Sequence, residues 1–353
     1  MKNFFIVSFN FLFLLCISVQ GFSRGIEFSK EPLIPPRIIR VCCAFGSNVG
    51  VMGVPFFRLT EITGVEDIGP HHYLGNRSEG NGIIYTRRGG FIDLGHLRDQ
   101  ADWTAYLYEV IRTNKGNPGF ELKLGYEGGT KKLVLNIPDN LSETNSMILA
   151  GRIAYDLSVW HEIATWFGVS SIPFVPERYS SFSIEDNYSN LLGATLGIES
   201  LESDLPFCDA MTKLLNEKLI ELGRVDSVSQ TYDAMEKVLN KWWTRKYQFP
   251  QANVTLKRAF STYADTYPLI VPEMADTTGQ VCVLELPQLC NTDLNLSDLY
   301  TLYFRLNGKF MSKHFFVHSK KKVITNHDFL SLINEIEIES DKKLARARKV
   351  YRN

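Results

Sequence analysis

The chain has 353 residues, of which 44% are hydrophobic, and a formal net charge of −1. This length and hydrophobic content allow a large buried core, and they exclude a chain that is disordered by composition. Nearly balanced charge gives no electrostatic basis for binding nucleic acid, so we predict no nucleic-acid partner. The length permits one or two domains. Because no linker-like stretch divides the sequence, we predict a single domain.

The N-terminus has the pattern of a secretory signal peptide. A positive start precedes the apolar run Phe4–Val19, and small residues follow. We therefore predict a signal peptide at residues 1–21 and a single exported domain at residues 22–353, located in the periplasm, at the outer envelope or outside the cell. An uncleaved anchor is the alternative, but the run is short for a membrane span, so we expect no transmembrane helix in the mature chain. Cys16 is a candidate for lipidation. Lipoprotein signals normally carry a small residue before the cysteine, whereas Leu15 is bulky, which argues against lipidation here.

Cysteine usage fits export but does not fix a disulfide framework. The mature part contains Cys42, Cys43, Cys208, Cys282 and Cys290. Cys282 and Cys290 are close enough in sequence to bridge a small loop, whereas two adjacent cysteines bond only with strain. No CxxC pattern occurs, so a cysteine zinc site is not expected.

Hydrophobic periodicity predicts an α+β fold with a helical core, small antiparallel sheets and a β-hairpin. The predicted strands are 37–45, 55–62 and 82–86, and the hairpin is 120–137. The predicted helices are 91–113, a central helix between Ser142 and Gly168, 183–196, 207–223, 229–247, 298–309 and 328–352. The C-terminal part, 201–353, is thus expected to be helical.

The segment Phe91–Thr113 places polar residues within an apolar pattern. At 100° per residue, His96, Asp99 and Trp103 share one stripe, which predicts that the first two face the core. Arg98 and Asp102 would form an i,i+4 pair nearer solvent. A buried His–Asp hydrogen bond that steadies the helix is the structural alternative.

The central helix is apolar nearly all round, so His161 and Glu162 are predicted to be buried within it. Buried ionisable groups require partners or a metal ion. The pair resembles the start of an HExxH zinc motif, but the later position is Thr165, so any metal needs ligands from elsewhere.

A third segment, 178–197, places Asp186, Asn190 and Gly193 on one helical face. Asparagine is a poor helix former, so we expect the side chain of Asn190 to make a hydrogen bond that explains its place within a helix. Acidic residues also suit a first helical turn, so simple capping is the alternative interpretation of Asp186.

Together these segments supply imidazoles and carboxylates suited to a divalent Zn, Mn or Fe ion. The predicted ligands are His96, Asp99, His161 and Asp186, with Glu162 as general base and Arg98 as anion clamp. This predicts a metal-dependent hydrolase with an unknown substrate or envelope component. Two alternatives remain: a non-enzymatic envelope protein whose polar cluster is structural, and a thiol-dependent enzyme using Cys42 or Cys43.

Long stretches of the sequence resemble a family of bacterial exported proteins, the domain-of-unknown-function family 4056. The stretches are RIIRVCCAFG, GIIYTRRGGFIDLGHLRDQADWTA, WHEIATWFG and SSFSIEDNYSNLLG, and they lie within residues 37–200. The resemblance implies a bacterial envelope or secreted protein and implies no established activity.

Overall fold

The computed structural model describes residues 34–36, 40, 44–51, 54–58, 60–170, 177–245, 255–307 and 321–350. The predicted signal peptide, Cys42 and Cys43 lie outside the described residues, as does most of the predicted strand at 37–45. The architecture is α+β, as the sequence predicts, with helices at the centre and small antiparallel sheets around them.

Three mutually packed helices form the core: α1 (Leu94–Thr113), α2 (Glu143–Trp166) and α3 (Asp186–Glu202). The central helix α2 begins where the sequence predicts, because the Ser142 side chain accepts a hydrogen bond from the Asn145 N–H. Gly193 brings α3 against the backbone of α1, where a Cβ atom would overlap the Leu97 carbonyl oxygen. This close approach places the N-terminal ends of α1 and α3 side by side.

The sheets surround this core. Strands β1 (Gly50–Val51) and β2 (Val54–Arg58) pair, and β3 (Ile83–Thr86) pairs with β4 (Gly90–Asp93), which leads directly into α1. The larger antiparallel sheet has the order β5–β6–β7–β8, with β5 Phe120–Tyr126, β6 Gly129–Leu135, β7 Tyr300–Leu306 and β8 Val323–Thr325. Trp160 of α2 stacks on Phe304 of β7 with ring centroids 4.1 Å apart and so joins sheet and core.

The other α-helices in the described ranges are α4 (Phe207–Glu221), α5 (Val228–Lys237), α6 (Leu296–Leu299) and α7 (Phe329–Val350). Among the described residues, none of the helices is both long enough and apolar enough to cross a membrane. Cys282 and Cys290, which could have bridged a loop, are both free thiols.

Several predicted elements differ from the structure. The segment predicted as helix 298–309 contains strand β7, because its alternating residues bury Leu302 and Phe304 on pairing with β6. The C-terminal part is therefore mixed and not simply helical. Residues 91–93 belong to β4, so α1 begins at Leu94, and α5 ends at Lys237, well before residue 247.

Candidate metal site

Asp93, His96 and Asp186 meet where the N-terminal ends of α1 and α3 lie side by side. Asp93 ends β4 and caps α1, since its Oδ1 accepts a 2.9 Å hydrogen bond from the His96 N–H. Asp186 is the first residue of α3, and its Oδ2 accepts a 3.1 Å hydrogen bond from the Ser183 N–H. The cap and the glycine contact between the helices thus bring all three side chains together.

The spacing of the donor atoms fits a single divalent ion. One ligand atom from each of these three residues lies within 4.8 Å of the others, and His96 Nδ1 lies 3.0 Å from Asp186 Oδ1. Two donors each about 2.1 Å from an ion are about 3 Å apart when they meet at a right angle. A histidine and two aspartates therefore form a group that can hold an ion with modest adjustment.

A tight corner before α3 positions Asp186. Phe182 lies in this corner with φ of 53°, a left-handed conformation that is costly for a bulky residue. The Phe182 N–H donates to a carboxylate oxygen of Glu162, and the Ser181 hydroxyl donates to the Glu162 carbonyl. Arg258 donates to the Ser181 carbonyl from the other side. The strained corner is thus held by α2 and by a distant arginine.

Glu162 is a buried carboxyl group with a perturbed acidity. Burial and the nearby negative charge of Asp186 raise its pKa to about 7, although His161, His96 and the Phe182 N–H partly oppose this shift. Only 5% of Glu162 is exposed. A carboxyl group that titrates near neutral pH can exchange a proton under physiological conditions.

His161 lies beside Glu162 but is held by a different carboxylate. Its Nδ1 is 2.6 Å from Glu127 Oε1, and the other carboxylate oxygen of Glu127 accepts a 2.9 Å bond from Lys131 Nζ. Burial lowers the pKa of His161, but the bond and charge of Glu127 outweigh it and raise the pKa to about 9. The imidazole is therefore cationic at neutral pH, and 19% of its side chain is exposed.

Asp99 and Arg98 lie in a separate buried network. Arg40 binds Asp99 at 2.7 Å and Asp102 at 2.9 Å, and it also pairs with Glu79 at 2.9 Å. Arg98 is fully buried and donates to the carbonyl groups of Ile68 and Gly69.

The expectation that Arg98 and Asp102 lie nearer solvent is wrong, because both are buried by the segment before β3 that folds over α1. A fully buried guanidinium is also poorly placed to clamp an anion.

Of the four predicted metal ligands, the structure brings two, His96 and Asp186, into one three-residue group. Asp99 and His161 are placed instead in the ion pairs with Arg40 and Glu127. Glu162, the predicted base, lies close enough to His96 and Asp186 for their charges to shift its pKa.

Sequence reasoning missed three residues of the site: Asp93, Glu127 and Arg258. An aspartate three residues before His96 at a strand-to-helix junction is an N-cap pattern that could have identified Asp93. Glu127 lies in the predicted hairpin turn and Arg258 in irregular structure, and nothing local connects either residue to the central helix.

The fold and the site define an α+β protein with a buried group of one histidine and two aspartates near two helix N-termini. The chain belongs to the family described as "Protein of unknown function (DUF4056)", whose model matches residues 30–272, more than half of the sequence. No curated protein and no solved structure gave a significant match.

Proposed function

We propose that the protein binds one divalent cation through Asp93, His96 and Asp186 and uses it to hydrolyse a substrate. The observation that carries this proposal is the compact group of three ligand atoms within 4.8 Å, with the carboxyl group of Glu162 nearby. One nitrogen and two oxygen ligands suit zinc, manganese or ferrous iron. Three protein ligands leave further coordination positions for water and substrate.

An ion held by Asp93, His96 and Asp186 would supply Lewis-acid activation of a water molecule for attack on the substrate. Glu162 accepts the proton of that water, because its own pKa of about 7 leaves a large ionised fraction at neutral pH. Once Glu162 has taken that proton, the water oxygen would form the new bond to the electrophilic centre of the substrate as the bond to the leaving group breaks. In this proposal Glu162 is the general base, the role that the sequence predicts for it.

His161 supplies the proton that the leaving group needs. Glu127 binds Nδ1 and holds the ring in one orientation, which leaves Nε2–H as the donor. The imidazole is protonated below a pH of about 9, so the donor is charged over the working range. We thus propose that His161 acts as general acid, in place of its predicted role as a metal ligand.

The cellular location belongs to the same proposal. The apolar run near the N-terminus and the family resemblance support an exported bacterial protein. The substrate would then be an envelope polymer, a lipid or a host molecule. Charge balance continues to argue against nucleic acid.

The test is elemental analysis of the purified protein after reconstitution with zinc, manganese or ferrous iron, alongside His96→Ala and Asp186→Asn. We expect about one ion per parent chain and loss of that ion in both variants, each with a native circular dichroism spectrum. The matched control is His327→Ala, which removes an exposed histidine far along the chain. A parent that stays metal-free after reconstitution refutes the proposal.

A non-enzymatic role is the second candidate, and one observation favours it. Each aspartate of the group already accepts a bond from a backbone N–H, Asp93 from His96 and Asp186 from Ser183. Such bonds are typical of residues that start a helix. In this interpretation the cluster only stabilises the fold. In that case Asp186→Asn lowers the unfolding temperature of a parent that binds no metal.

A further inference from the structure

A cleft of about 390 Å³ lies between the segment Leu256–Phe260 and one face of α7. Its α7 wall consists of Glu337, Ser340, Asp341, Leu344 and Ala345. A volume in this range suits a small molecule, and pockets of this kind combine apolar walls with a few placed polar groups. The cleft shares none of its lining residues with the three-residue metal group.

Arg258 lines the cleft and is only 9% exposed. It donates to the carbonyl groups of Ser181 and Tyr179, and its guanidinium carbon lies 5.1 Å from the centroid of the Trp166 ring. These bonds use two of the five guanidinium N–H groups, and Nε has no hydrogen-bond partner among the described residues. One N–H on each of Nη1 and Nη2 therefore remains for an acceptor in the cleft.

The opposite wall carries negative charge. Glu337 and Asp341 are exposed and lie one turn apart on α7. In the described part of the chain, neither carboxylate has an ion-pair partner, whereas the adjacent Glu339 pairs with Lys343 at 2.7 Å. Lys257 lies on the Arg258 side, but its ammonium group is engaged over the Trp242 ring, 4.9 Å from the centroid.

We propose that this cleft binds a small zwitterion of the amino-acid class, with its carboxylate on Arg258 and its ammonium groups on Glu337 and Asp341. The ligand carboxylate can accept from the one N–H that remains on each of Nη1 and Nη2 of Arg258. Two acidic groups opposite one arginine match a ligand with two ammonium groups and one carboxylate. Lysine has this charge pattern, and its alkyl chain can pack on the apolar side chains of Leu256, Phe260 and Leu344.

Binding in the cleft would also bear on the metal group. Arg258 holds the Ser181 carbonyl, and the neighbouring Ala259 N–H donates 2.9 Å to the Phe182 carbonyl. Both bonds fix the corner that leads into Asp186. The ligand site itself does not depend on metal or on hydrolysis, so its failure leaves the proposed function untouched.

The test is isothermal titration calorimetry of the full chain, stripped of metal, with lysine and with cadaverine, which is lysine without its carboxylate. We expect lysine to bind with a Kd of about 1 mM, ordinary for a ligand of this size. Cadaverine should bind at least tenfold more weakly, because it cannot engage Arg258.

Two variants test the opposite wall, Glu337→Gln and Asp341→Asn. Each should weaken lysine binding about fivefold, the effect of losing one partly exposed ion pair. Glu335→Gln is the matched control, since it removes an exposed charge from α7 outside the cleft and should leave the Kd unchanged. The proposal is overturned if lysine does not bind, if cadaverine binds equally well, or if the control weakens binding as much as the two wall variants.

Discussion

Replacement of Arg40 by alanine should destabilise the protein more than loss of any surface arginine. The Arg40 side chain is 1% exposed and contacts three carboxylates at 2.7 to 2.9 Å. After its removal, Asp102 keeps His71 and the Leu74 N–H as partners, but Asp99 keeps no hydrogen-bond donor among the described residues. Leaving a buried charge uncompensated costs about 3–5 kcal/mol, so we expect a loss of about 4 kcal/mol.

The loss should depend on pH with a defined sign. Burial already raises the pKa of Asp99 to about 7 against the opposing charge of Arg40, whereas the unfolded group titrates near ~4. Between these values the folded state binds more protons, so the contribution of Asp99 to stability falls as pH rises. Without Arg40 this trend strengthens, and the destabilisation should be larger at pH 8 than at pH 5.

Urea unfolding followed by tryptophan fluorescence, with a chelator present, measures the free energy of unfolding at both pH values. Arg77→Ala is the control, because Arg77 is exposed. Adding Asp99→Asn to Arg40→Ala should restore about 1–2 kcal/mol at pH 8, since the uncompensated charge is gone. A loss below about 1 kcal/mol, similar to that of the control, would refute the assigned role of Arg40.

Three further predictions concern the site and the core. Glu162→Gln should keep the metal content of the parent but lower the hydrolysis of p-nitrophenyl esters or phosphates at least 100-fold, as loss of a general base does; loss of metal as well would contradict a role as base. The rate of that hydrolysis should rise through a pH of about 7, where Glu162 ionises, and fall above about 9, where His161 loses its proton; in His161→Gln the alkaline fall should disappear, and its persistence would exclude His161 as the acid. Gly193→Ala should lower the free energy of unfolding by about 3 kcal/mol, because its methyl group would overlap the Leu97 carbonyl; Thr195→Ala on the same helix is the control, and equal losses would refute this packing.

Local sequence determined the elements whose signals are complete within a short window. The central helix is apolar nearly all round, and Ser142 caps it, so both its burial and its start could be predicted. The hairpin 120–137 could be predicted equally well, because two runs of alternating apolar and polar residues flank a glycine-containing turn. These features depend on contacts between residues close in sequence, and the structure contains both of them.

Tertiary structure decided which polar groups meet. Helical periodicity places His96 and Asp99 on one face of the helix. It cannot show that Arg40, 59 residues before Asp99, forms an ion pair with that carboxylate. Likewise His161 finds Glu127 in a hairpin turn 34 residues earlier. Even β7 required a partner strand, since pairing with β6 made its alternation favourable. The hydrophobic pattern thus determined that the central helix is buried. The burial of the polar face of α1 and the partners of its buried charges followed from long-range packing, because an ion pair depends on distances that no local pattern encodes.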